Sequence, residues 1–176
     1  MFVELVIVSV IILIFSKGIN ISLLDGLKGQ SLLIALFISM LVSLFFKFRA
    51  IQFLNILIYF LLLVFLFINK DNKGFKLIFL GSLFNFLAIA LNGGLMPVSE
   101  GALIKIGDME ALSILKSGLS QTHSLINETS LLSFFGDVIP IPPPYPLAKL
   151  ISLGDILIFI GFIYFLLTKS KEGVKE

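Results

Sequence analysis

The sequence predicts an all-α membrane protein: about five transmembrane helices, with an ordered outer-face segment of short helices and a proline-rich extended ribbon between the fourth helix and the fifth. Three observations carry that expectation. Residues are 58% hydrophobic and 14% charged, with a mean hydropathy of +1.11, against about 25% charged residues in ordinary soluble domains. Five long apolar runs punctuate the 176 residues. Five of the six prolines crowd into Pro140–Pro146, in a chain otherwise written for helices. So much apolar surface exceeds what a chain of this size can bury against itself, and the bilayer is the expected solvent.

The first expected span is 1–15, MFVELVIVSVIILIF. It has no basic leader and no small-x-small cleavage site, so it reads as a retained span and not as a signal peptide. The others are 31–46, 50–68, 77–91 and 150–168, with four spans plus a re-entrant segment as the alternative count. Uninterrupted runs of about 15 residues make about 22 Å of helix, short of the roughly 30 Å hydrocarbon core, so flanking Ser, Lys and Gly must lengthen them. Residues 1–176 read as one integral membrane domain. Lys and Arg number eight on one side of this arrangement and five on the other. That bias places the N-terminus outside, the C-terminus inside and residues 92–149 on the outer face.

The segment 92–149 needs structure of its own, because a bare loop of that length does not suit a compact fold. Asn92, Gly93 and Gly94 end the fourth helix with residues that tolerate positive φ, and Pro97 blocks its resumption. A short helix is expected over Ser99–Ile106, stopped by Gly107, and another within Met109–Ile126, broken at Gly118. Pro140 and Pro142, with their neighbours, force an extended course of about 3.1 Å per residue. Apolar Val138, Ile139 and Ile141 should lay that ribbon against the bundle as a brace or lid. Then Ser152-Leu153-Gly154-Asp155 matches the S-x-x-D capping pattern: Ser152 caps the last helix and Asp155 sits at its third position, facing the positive end of the dipole. The other reading of Asp155 is an acid at the mouth of the bundle.

Few residues are left to carry chemistry. With no Cys and one His, thiolate and polyhistidine metal sites are out of reach, and neither metal nor cofactor is expected. A net charge of +2 without a basic, aromatic-laced patch argues against nucleic acid. Asp137, in FFGDVIP, is either held by the amides of its own turn or poised for a ligand. His123, with Glu128 nearby in QTHSLINE, suits proton transfer near neutral pH if it serves a site at all. Gln52, Asn55 and Tyr59 fall on one face of the third helix, and Ser82, Asn85 and Asn92 on one face of the fourth. Such stripes either hydrogen-bond helix to helix or line a polar cavity.

LNGGLMPVS (Leu91–Ser99), His123 followed by Glu128 and Thr129, FFGDVIPIP (Phe134–Pro142) and SLGDIL (Ser152–Leu157) occur in that order. Together with SKGINISLLDGLKGQSLLI near the start, they resemble a family of small bacterial integral membrane proteins of unknown function. The resemblance implies a multi-pass protein of the bacterial cell membrane and carries over no catalytic residue. The expected function is a non-catalytic binding or accessory component whose outer-face segment meets a lipid or a membrane protein. An outer-face enzyme acting on a lipid-linked substrate, with His123 and Asp137 or Glu128 as acid and base, is the alternative, and a small transport subunit is the third.

Overall fold

A computed structural model describes residues 26–32, 34, 35, 38, 51–144 and 148–172. The expected span over 1–15, most of that over 31–46, and Tyr145 and Pro146 of the proline segment lie outside the described residues.

Two helices come first, α1 (Ile51–Ile68) and α2 (Phe75–Leu91). The turn between them is organised by Asn69, which is almost fully buried. Its amide donates to the carbonyls of Lys28 and Phe65, and its oxygen accepts from the Lys28 N–H at 2.7 Å. The last helix, α5 (Leu153–Glu172), packs against α2. Glycine permits that approach. Gly74 and Gly81, seven residues apart, face Gly161 and Gly154, and a Cβ at any of the four would collide with backbone or side-chain atoms of the opposing segment. Two stacked turns of each helix therefore meet almost backbone to backbone. Phe65, Leu66, Phe75, Ile78, Phe165 and Leu166 fill the space at the end of this contact, with the Phe75 and Phe165 rings edge to face at 5.0 Å. The other face of α1 keeps Phe53, Leu57, Phe60, Val64 and Phe67 exposed.

Between α2 and α5 the chain builds a layer of short elements: β1 (Met96–Val98), α3 (Glu100–Ile106), α4 (Met109–Lys116), β2 (His123–Leu125), a 3-10 turn (Ser133–Phe135), β3 (Ile139–Ile141) and β4 (Lys149–Ile151). β1 and β2 pair in parallel, Met96 opposite His123 and Val98 opposite Leu125. A parallel pair needs a crossover, and α3 and α4 supply it. Ser99 caps α3 by accepting from Ala102 N, Gly107 closes it at φ 77°, and Asp108 caps α4 through Ala111 N. Val98, Leu103, Ile106 and Leu112 form the core beneath them. The other side of β1 takes a single parallel bridge, from Val98 to Asp137. Pro97 suits this position because the bridging strand asks only for its carbonyl, which accepts from Asp137 N at 2.8 Å.

The predicted fold class is corrected on two counts. The chain is mostly helical, but it is not all-α: the segment 92–149 contributes strands to two small sheets. The proline stretch is not a lone ribbon, since Pro140 lies within β3, which pairs antiparallel with β4 in the register Ile139–Ile151 and Ile141–Lys149. Pro142 follows the strand, exposed. Second, among the described residues no helix is long and apolar enough to cross a membrane. At 1.5 Å per residue, α1 is about 27 Å long and α2 about 25 Å, against a core of roughly 30 Å. α5 is longer, but its final turn is Lys169-Ser170-Lys171-Glu172. Apolar content argues for spans, but part of it packs helix on helix and under the α3–α4 crossover.

Candidate functional site

The strand layer delivers two side chains to one place. His123 opens β2 on one side of β1, and Asp137 bridges to β1 on the other. Their side chains meet, His123 Nε2 standing 3.5 Å from Asp137 Oδ2. That is ion-pair range, longer than a good hydrogen bond. The other ring nitrogen, Nδ1, lies 2.7 Å from Thr122 Oγ1. With Nε2–H turned to the carboxylate, Nδ1 is the acceptor for the Thr122 hydroxyl. Asp137 is the more enclosed partner, its side chain 15% exposed against 43% for His123.

A cavity of about 300 Å³ opens beside this pair. The helices give it Asn55 and Tyr59 from α1, Asn85 and Ile89 from α2, and Asp155 from α5; the strand layer adds Gly94, Met96 and Thr122. Asn55, Asn85 and Asp155 are held in place by hydrogen bonds. Asn55 donates to the carbonyls of Gly94 and Gln121, both at 3.3 Å. Gly94 has to be glycine: it sits at φ 88°, and a Cβ there would come within 2.5 Å of the Gln52 carbonyl oxygen. Ser152 and Asp155 make both bonds of a capping box, Asp155 N donating to Ser152 Oγ at 2.9 Å and Ser152 N to Asp155 Oδ2 at 3.0 Å. Buried Asn85 ties that box to α2, accepting from Ser152 Oγ at 2.9 Å and donating to Asp155 Oδ1 at 3.2 Å. Among the described residues lining the cavity there is no Lys or Arg.

Burial pushes the Asp137 carboxyl above its ordinary value of 3.8; His123 opposes the shift and the charge of Asp155 adds to it. The sign of the consequence follows from linkage. A carboxyl with a raised folded pKa binds its proton more tightly in the native state, so it favours folding most at low pH. This contribution falls as pH climbs past 3.8 and is fully lost above the raised folded value. Urea midpoints measured across the acid range are therefore expected to fall less steeply with rising pH in Asp137→Asn than in the unaltered chain. Parallel profiles would refute this.

The remaining expected site residues divide. Asn92 ends α2 and clamps the loop before the 3-10 turn, donating to Leu131 O at 2.8 Å and accepting from Leu131 N at 3.0 Å. Gly93 adopts φ 67° in open space. Pro97, Ser99 and Pro140 shape the strand layer, and Pro142 lies just beyond it; none of these four lines the cavity. Glu128 is exposed in the turn held by Asn127 and Ser130, away from His123 and Asp137. Ser82 is fully buried, and its hydroxyl has no hydrogen-bond partner among the described residues. Asn55, Tyr59 and Thr122 belong to the cavity although only the first two stood out in the sequence, as a helical stripe. Among the described residues, no group of three or more His, Cys, Asp or Glu side chains is placed to hold a metal ion.

The model of a family of unknown function, DUF5317, matches residues 25–167. An uncharacterised protein of Thermotoga maritima is 36% identical over 108 residues, 61% of this chain. The chain matches 59% of that relative's own length. No solved structure matches.

Proposed function

The chain belongs to the DUF5317 family, whose function is unknown, and we propose that it is a non-catalytic binding component whose polar cavity takes the positively charged end of a small molecule. One observation carries this reading: Asp137 and Asp155 face a shared cavity whose described lining offers only the weakly basic His123 as a counter-charge. Sheltered carboxylates are costly unless paired, and a ligand cation supplies the missing charge. The hydrogen-bonding chemistry agrees. Asn55 spends its amide donors on two carbonyls, so what it offers a ligand is an acceptor. An ammonium group, with three donors and no acceptor, is the complement of such a wall. Segment 92–149 contributes half of the lining, which supports a recognition role for it.

The test is titration with ethylammonium, followed through the imidazole resonances of His123, with ethanol as the uncharged control. A saturable shift for the cation and none for the alcohol is expected at neutral pH. No saturable response, or the same response to both, would overturn the reading.

The closeness of His123 and Asp137 favours a second reading, in which the pair moves a proton on the bound molecule. Glu128 has no part in it, being exposed elsewhere. A bound molecule recovered chemically unaltered after prolonged incubation at neutral pH counts against this reading.

A further inference from the structure

A second cavity, of about 250 Å³, lies against the crossover helices. Leu103 and Ile106 of α3, Ile114 and Leu115 of α4, and Leu150 of β4 form its walls. His123 and Asp137 border it as well, and these are the two residues that both cavities share. The polar cavity and the apolar one thus share the His123–Asp137 pair as a common wall. Taken singly, their volumes sit at or below the lower end of the roughly 300–1,000 Å³ usual for small-molecule sites; taken together they fall within it.

We propose that the two cavities are one site for a single-chain amphiphile, with a cationic head against Asp137 and Asp155 and an aliphatic tail along α3, α4 and β4. This rests on the reading of the polar cavity given above and names the class of ligand. Three features decide the tail's chemistry. The apolar walls named here are branched aliphatic residues with no aromatic among them, which suits an alkyl chain better than a flat ring. Two charged residues stand at the border: Asp108, which accepts from Ala111 N as the cap of α4, and Lys149. Asp137 lines both cavities, so a head bound against it has the apolar cavity directly beside it.

The experiment is a chain-length series on the full chain. The n-alkylammonium ions from ethyl to octyl, each below its aggregation concentration, are titrated by calorimetry beside the n-alcohols of equal length. Affinity of the ammonium series is expected to rise about fourfold per methylene and then level off when the cavity is full. Ala111→Phe, which fills the apolar cavity, is expected to erase the rise, with thermal unfolding as the check that it remains folded. If ethylammonium binds but affinity is independent of chain length, the joint site is wrong while the head site stands. Should the alcohols gain as steeply and bind as tightly as the ammonium ions, the apolar cavity acts alone and the joint site is again wrong. If no ammonium ion binds at any length, the polar-cavity reading itself fails.

Discussion

Gly154→Ala is expected to be strongly destabilising, at about 2–3 kcal/mol. The new Cβ would run into the side-chain oxygen of Asn85 and come to 2.5 Å from the carbonyl oxygen of Gly81. Neither neighbour can give way cheaply. The Gly81 carbonyl is helix backbone, and Asn85 is fixed by its bonds to Ser152 and Asp155. Relief requires α5 to move off α2, which loosens the glycine contact along two turns and with it the packing of Phe165 on Phe75. Alanine's better helix propensity returns up to about 1 kcal/mol, which is already counted in the net figure. Gly101, in α3, provides the contrast: a Cβ there meets nothing within 4 Å, so Gly101→Ala should be neutral or stabilise by a few tenths of a kcal/mol. Urea unfolding of the two variants side by side checks the idea, and equal midpoints would show that the close approach of α2 and α5 is wrong.

The features legible in the sequence are those written within a few residues of one another. Ser99 and Gly107 bracket α3 because caps act locally, through bonds that reach three or four positions. Ser152-x-x-Asp155 is readable for the same reason. What distant segments decide together is not legible. Met96-Pro97-Val98 offers three residues, one of them a proline, and carries no alternation that would mark a strand; only its two partners make it one. Those partners, His123 and the Gly136–Asp137 turn, are separated in the chain by a loop and a 3-10 turn, so nothing local announces that the imidazole and the carboxylate will meet. The proline stretch misled differently. Proline's missing amide argues for an unpaired ribbon, yet β3 and β4 pair through Pro140, the isoleucines on either side of it lying opposite Ile151 and Lys149. Composition misleads about scale: strongly apolar helices suggest crossings, but part of that surface is packed where the glycines at 74, 81, 154 and 161 let α2 and α5 meet. Their sevenfold spacing was in the sequence, and it is the signal that would have placed α2 against α5. Asn55 and Tyr59 were visible as a stripe; that the stripe faces a cavity depends on Gly94 folding back against Gln52.

Asp155→Asn is expected to act on stability and on binding at once, and the two effects can be separated. In the capping box, Oδ2 accepts from Ser152 N while Oδ1 accepts from Asn85 Nδ2. Asparagine has one oxygen. However its amide is turned, an NH2 group faces either the Ser152 N–H or the Asn85 amide, in a place where Ser152 is wholly buried and water is a poor substitute. Losing one charge-assisted bond and setting donor against donor costs about 2 kcal/mol, and the lost negative charge at the start of α5 adds a few tenths. The same change removes one of the two carboxylates facing the polar cavity, so ethylammonium should bind roughly 10- to 100-fold more weakly. Ser152→Ala distinguishes the causes. It deletes the hydroxyl that both caps Asp155 N and donates to Asn85, a loss of about 2 kcal/mol, but it leaves both carboxylates in place. Equal destabilisation of the two variants, with cation affinity lost only in Asp155→Asn, is the pattern a charge-reading cavity requires. If Ser152→Ala loses affinity to the same extent, the cavity depends on the shape of the α5 start and not on the charge at Asp155.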